Sequence, residues 1–120
     1  MANFTKRILS ACTSGQPLYV NSSSATGTLL HTAVAGTTAG TYDEVWLFAY
    51  NGDAAAQTLT TQIGGTDSSL VNNLVCSLAS KSGLQLIVPG LILQNSLEVR
   101  ASASKMSVIT LSGFINSVSD

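Results

Sequence analysis

The sequence predicts an all-β protein: a single antiparallel β-sandwich, jelly-roll-like, of about eight or nine strands over residues 1–120. Three observations lead there. Short runs of β-type residues recur at roughly ten-residue spacing, each closed by a cluster of Gly, Asn, Asp or Ser. Helical periodicity is nearly absent. A chain of 120 residues holds one hydrophobic core and has no room for a second.

The elements follow in order. Residues 6–12 read as a strand that turns at Thr13-Ser14-Gly15-Gln16 into a second strand at 17–21, as a hairpin. A Ser-rich loop leads to a strand at 28–34 carrying His31, then a Gly/Thr loop at 35–41. Residues 44–50 are apolar at nearly every position, so this strand is expected to be central with both faces covered. Asn51-Gly52-Asp53 supplies a turn tolerant of positive φ, after which 57–63 is expected to pair with that strand. Residues 69–78 read as a strand, although Leu70, Leu74 and Leu78 also satisfy a helical spacing. A strand at 84–88 ends at Pro89-Gly90, and 91–94 leads into 97–101, which alternates cleanly. Residues 107–116 form the last strand. Short extensions at 1–5 and 116–120 are expected outside the sandwich, free to lie along a neighbour.

Composition narrows the function. Charged residues are 9 % against about 25 % in ordinary domains, while hydrophobic residues reach 45 %. Ser and Thr together fill 30 positions, so hydroxyls do the solvating that Lys and Glu usually do. A 12.3 kDa domain exposes on the order of 6,100 Å², and few ionised groups are on hand to cover it. Such a surface loses little desolvation energy when another protein covers it. Lys6, Arg7, Lys81, Arg100 and Lys105 are scattered and the net charge is −1, so no nucleic-acid stripe forms. No apolar run approaches the roughly 20 residues of a membrane helix. Leu9-Ser10-Ala11-Cys12 resembles a lipoprotein cleavage box, but only residues 8–11 separate Cys12 from Arg7, too short an apolar core for export. Assembly in the cytoplasm is the expectation.

Candidate chemistry is sparse, and the expectation is a protein without catalytic, cofactor or metal residues. His31 is the one histidine, so a Ser-His-Asp arrangement would need it with a serine and Asp43, Asp53 or Asp67; no G-x-S-x-G elbow exists, and a hydrogen-bonded structural role is expected. Asp43 and Glu44 are adjacent in a strand and point to opposite faces. Asp53 and Asp67 sit in turns that would suit calcium only with a ligand run the chain lacks. Gly36 to Gly40 and Gly64-Gly65 lack phosphate-loop spacing. Cys12 and Cys76 read as two thiols, not a bridge, and structural zinc has too few ligands. Asn3-Phe4-Thr5 and Asn21-Ser22-Ser23 match the glycosylation pattern, which acts only on secreted chains. Tyr42, Trp46, Phe48 and Tyr50 have the residue types of a sugar-stacking platform, yet their place in the most apolar strand favours the core.

Several blocks together resemble small virion proteins of tailed bacteriophages, including those of cyanobacterial hosts. They are Arg7-Ile8-Leu9-Ser10 with the Gly15 turn, Leu30-His31-Thr32-Ala33, residues 43–51, Ile63-Gly64-Gly65-Thr66, Val88-Pro89-Gly90-Leu91 and Ser112-Gly113-Phe114-Ile115-Asn116. The resemblance covers most of the chain and departs at 68–80 and at Cys12 and Cys76. It implies a head decoration or cement protein on the capsid exterior that clamps the major capsid protein lattice as a homo-oligomer. A tail, neck or fibre component, including a glycan-binding module, is the alternative.

Overall fold

The computed structural model describes residues 3–21, 23, 27–64 and 73–119. Among these, nine strands form two antiparallel sheets. They are β1 (Asn3–Ile8), β2 (Leu18–Tyr19), β3 (Thr28–Thr32), β4 (Tyr42–Asn51), β5 (Gln57–Ile63), β6 (Asn73–Leu78), β7 (Gln85–Leu93), β8 (Glu98–Ala103) and β9 (Ile109–Ser119). One sheet runs β1-β9-β4-β7 with β2 also on β9; the other runs β3-β8-β5-β6. The pairs β2·β9, β3·β8, β4·β7 and β5·β6 are those of one long hairpin rolled upon itself. Lateral pairing of β4 with β9 and of β5 with β8 fuses its layers into two sheets, which is the jelly roll the strand spacing predicts.

The core lies between the sheets. Leu9, Leu30, Leu47, Leu59, Ile109 and Ile115 are among its fully buried side chains, each contributing roughly 1.5–3 kcal/mol by leaving water. Total accessible surface is 6264 Å², close to the value expected from mass.

Five expectations are corrected. The segments at both ends are not outside the sandwich: Asn3 to Thr5 belong to β1, and Asn116 to Ser119 to β9, with Asn3 opposite Ser119. Residues 1, 2 and 120 lie outside the described residues. Second, β1 and β2 do not pair with each other. The turn forms, with positive φ at Ser14 and Gly15 and Gln16 N–H donating to Thr13 C=O. But Leu9 and Cys12 dive into the core, and Ala11 N–H donates to Leu30 C=O, so residues 9–17 cross toward β3 between two strands that both sit on β9.

Third, β4 and β5 lie in different sheets. The Asn51 side chain accepts from Asp53 N–H and donates to the carbonyls of Ala55 and Leu78, redirecting the chain across the sandwich where a hairpin was expected. Fourth, β7 continues through Pro89-Gly90. It is an edge strand, where a residue without N–H is tolerated, and register shifts against β4 absorb the bulge, with Gly90 at φ 78°. Fifth, β4 is covered on one face only, as described next. The expected strand at 69–78 is seen as β6; residues 65–72 lie outside the described residues.

Candidate functional site

Burial alternates along β4. Asp43, Val45, Leu47, Ala49 and Asn51 face the core, while Tyr42, Glu44, Trp46, Phe48 and Tyr50 stand half-buried on the outer face of the five-stranded sheet. The aromatic stripe that the sequence placed in the core is therefore outward. The aliphatic set is the inner one, because Val45, Leu47 and Ala49 are what a thin sandwich interior accommodates.

Register assembles rows across this face. Ile8, Phe114, Trp46 and Pro89 form one row; Lys6, Asn116, Glu44 and Ile92 form the next; Phe4, Val118 and Tyr42 form a third. In the first row Trp46 stacks on Phe114, with centroids 5.9 Å apart and planes 11° from parallel. Lys6 Nζ lies 4.2 Å from the Phe114 centroid, a cation–π contact. On the far side Gly90 lies against the indole: a Cβ built there would come within 2.8 Å of Trp46 Cζ2. In the second row Glu44 Oε1 accepts from Trp46 Nε1–H at 2.6 Å and from the Asn116 amide at 3.2 Å. These hydrogen bonds, Trp46 first, hold the Glu44 carboxyl below its usual range. Phe4, Ile8 and Ile92 within the rows, and Leu86 beside them, are exposed, Phe4 at 76 %. Among the described residues, Lys6 and Glu44 are the only charges these rows carry.

The outer face of the other sheet is different. It presents Thr58 and Thr60 of β5, Val75 and Ser77 of β6, Leu29 of β3, and Glu98, Arg100 and Ser102 of β8, with Arg100 Nε donating to Glu98 at 3.0 Å and Val75 exposed. One face of the sandwich is mainly aromatic and aliphatic; the other is mainly hydroxylated and charged.

The imidazole reading resolves on geometry. A bulge in β3 after Leu29 turns both Leu30 and His31 inward. His31 Nδ1 accepts from Ser10 N–H at 3.0 Å, so Nε2 carries the hydrogen and donates to Asp43 Oδ2 at 2.8 Å. Asp43 Oδ2 also accepts from Val34 N–H, and Oδ1 accepts from Ser117 Oγ. Asp43 and a serine thus do meet His31. Yet the nitrogen that would serve as base is capped by an amide, and the serine bonds the carboxylate, not the imidazole. The group pins the start of β4 to β3 and β9 beside an open cleft of about 550 Å³ that Arg7 also lines. Asp43 and Glu44 point to opposite faces, as their adjacency predicts.

The remaining candidates are dispersed. Asp53 bonds Lys105 at 3.1 Å and Gln57 at 2.6 Å, contacts that lower its pKa, while Asp67 and Gly65 lie outside the described residues. Among the described residues no cluster of three metal-ligating side chains occurs. Cys12 and Cys76 are unbridged, and burial pushes both thiols up. What sequence reasoning missed is the outward face itself, with Lys6 and Phe114 as members. The signal was parity: Glu44 and both tyrosines share it with Trp46 and Phe48. No protein-family model, curated protein or solved structure matches this chain.

Proposed function

We propose that this chain is a non-enzymatic structural protein of a bacteriophage virion, a decoration or cement subunit that stabilises the major capsid protein lattice from the capsid exterior. The observation that carries the reading is the contrast between its two outer faces. A row of stacked aromatics ringed by exposed Phe4, Ile8, Leu86 and Ile92 is an unusual surface to leave in water, and it suits permanent contact with protein. The Thr- and Ser-rich face opposite suits solvent. The low charge of the chain and its resemblance to small virion proteins point the same way. Mass analysis of purified particles tests it: a copy number comparable to the capsid protein is expected, and absence from the particle overturns it.

A second reading, a glycan-binding module of a tail, neck or fibre, draws on a cleft of about 500 Å³ where Tyr42 meets Ile92, Gln94 and Asn95. It gains nothing from Trp46 and Phe114, whose stacked rings turn faces toward each other. Binding on a glycan array that is lost in Tyr42→Ala would favour it.

A further inference from the structure

The outer face of the five-stranded sheet has a symmetry of its own. β9 is flanked by β1 on one side and β4 on the other. The row through Asn116 places Lys6 on β1 and Glu44 on β4, one strand either side of β9. The row through Phe114 places Ile8 and Trp46 in the same relation, and the row through Val118 places Phe4 and Tyr42. A half-turn about β9 therefore exchanges a cation with a carboxylate and an aliphatic or aromatic side chain with an aromatic one.

We propose that this face closes on a second copy of the same chain, about a two-fold axis running along β9, so that Lys6 of each copy meets Glu44 of the other. The proposal deepens the assembly reading and rests on its premise that protein covers this face. Two sheets so related pack in the aligned manner, about 10 Å apart, and the rows interdigitate as they do in a sandwich interior. Ile8 then meets Trp46, Phe4 meets Tyr42, and Phe114 meets its own copy on the axis. The contact is isologous, so it closes at two and leaves no sticky end. Both charges find opposite partners on desolvation, where a face with one sign of charge would repel itself. Glu44 already has its Oε1 held by Trp46 and Asn116, which leaves Oε2 to the incoming ammonium.

The area is that of a small interface. A half-turn about β9 overlaps β1, β9 and β4 with the same three strands of the partner and leaves β7 outside, and three strands at about 4.8 Å spacing and ten residues at about 3.4 Å rise give roughly 490 Å² in projection. That is near the low end of specific interfaces, roughly 1,200 Å² in total, so charge and row matching, not area, carry the pairing. The capsid protein is the competing occupant, and it has no reason to match a pattern symmetric about β9.

Sedimentation equilibrium on the full chain, on Lys6→Glu, on Glu44→Lys and on an equimolar mixture of the two variants decides it, with circular dichroism confirming that each is folded. The wild-type chain is expected at twice its 12.3 kDa mass. Each single reversal sets like charges against each other twice per dimer and is expected to raise the dissociation constant at least about tenfold. The mixture is expected to recover wild-type affinity, because each variant then offers the charge the other needs. A 12.3 kDa wild-type species, a dimer indifferent to both reversals, or a mixture that fails to recover overturns the proposal. If Glu44→Lys fails to fold, Lys6→Glu combined with a wild-type comparison still decides, since among the described residues the side-chain contact that Lys6 makes is with the Phe114 face. A monomeric chain still present in particles at capsid-like copy number overturns the dimer alone and hands the face to the capsid protein. A chain absent from particles overturns the assembly reading itself.

Discussion

The indole of Trp46 and the ring of Phe114 stack 5.9 Å apart on neighbouring strands, on the side of the sheet turned away from the core. Truncating Phe114 to Ala removes that stacking and the seat of Lys6 together. A loss of about 1–2 kcal/mol is expected, from an aromatic pair worth about 0.5–1.5 kcal/mol plus some burial. Urea titration followed by fluorescence of Trp46, the chain's one tryptophan, measures it. An unchanged midpoint would mean that the stack is ornamental to stability.

Gly113 and Gly90 are predicted to be intolerant for different reasons. A Cβ at 113 collides with the Trp46 backbone carbonyl, so β9 and β4 must separate to admit Ala. At 90 the obstacle is the indole, added to a positive φ. Gly113→Ala is expected to cost about 3 kcal/mol or more, and Gly90→Ala about 2 kcal/mol with a shifted Trp46 emission. Gly36→Ala, with nothing within 4 Å of the added methyl, pays only for its φ of 93° and serves as the reference. Equal losses at all three would show that packing around Trp46 is loose.

Asp43→Ala leaves the His31 Nε2–H and the Val34 N–H without their acceptor inside the fold. A destabilisation of about 3 kcal/mol is expected, and about 1 kcal/mol for Ser117→Ala, which removes one hydrogen bond to the same carboxylate. Thermal melts of the two variants test the ranking. A reversed order would remove Asp43 as the anchor between β3, β4 and β9.

Much of this architecture was legible. Strand spacing predicts the jelly roll, and the clean alternation in residues 97–101 predicts β8. The hidden part was which side of a strand faces inward. Residues 44–50 carry apolar side chains on both parities, and neither periodicity nor hydropathy separates Val45, Leu47 and Ala49 from Trp46 and Phe48. Their size does, since the sheets pack closely, and so do Glu44, Tyr42 and Tyr50 on the aromatic side. Residues 51–53 look locally like a hairpin turn, because the Asn51 side-chain bond to Leu78, 27 residues on, leaves no trace in the local sequence. Likewise, the adjacent apolar pair Ile8-Leu9 does not show that the chain leaves β1 at Leu9 for the core.

Glu44 gives a pH signature. Its folded pKa is lowered by the Trp46 and Asn116 hydrogen bonds, so the group adds stability above its unfolded pKa, near 4.3. That increment is lost as pH falls through the depressed folded value. Glu44→Gln is therefore expected to flatten the acid limb of the stability curve below about pH 4.5, with little change in slope at pH 6–8. Denaturation midpoints from pH 2 to 8 check it, and parallel limbs for the two proteins would contradict it.

Burial raises the Cys12 and Cys76 thiols, so both should react slowly with a disulfide reagent at pH 7 and faster as pH rises past 9. Cys76, the less buried, leads. Two thiols per chain should titrate at once in denaturant; fewer than two would reveal a bridge.

The central claim is that the aromatic face of the five-stranded sheet is covered by protein when the molecule is at work. Hydroxyl-radical footprinting compares the isolated chain, diluted until its dimer has dissociated, with the chain in purified particles. The account predicts that Trp46, Phe114 and Phe4 oxidise several-fold more slowly in the particle, while Met106, exposed on the loop before β9, reacts at an unchanged rate. Equal oxidation of Trp46 and Phe114 in both states would contradict it.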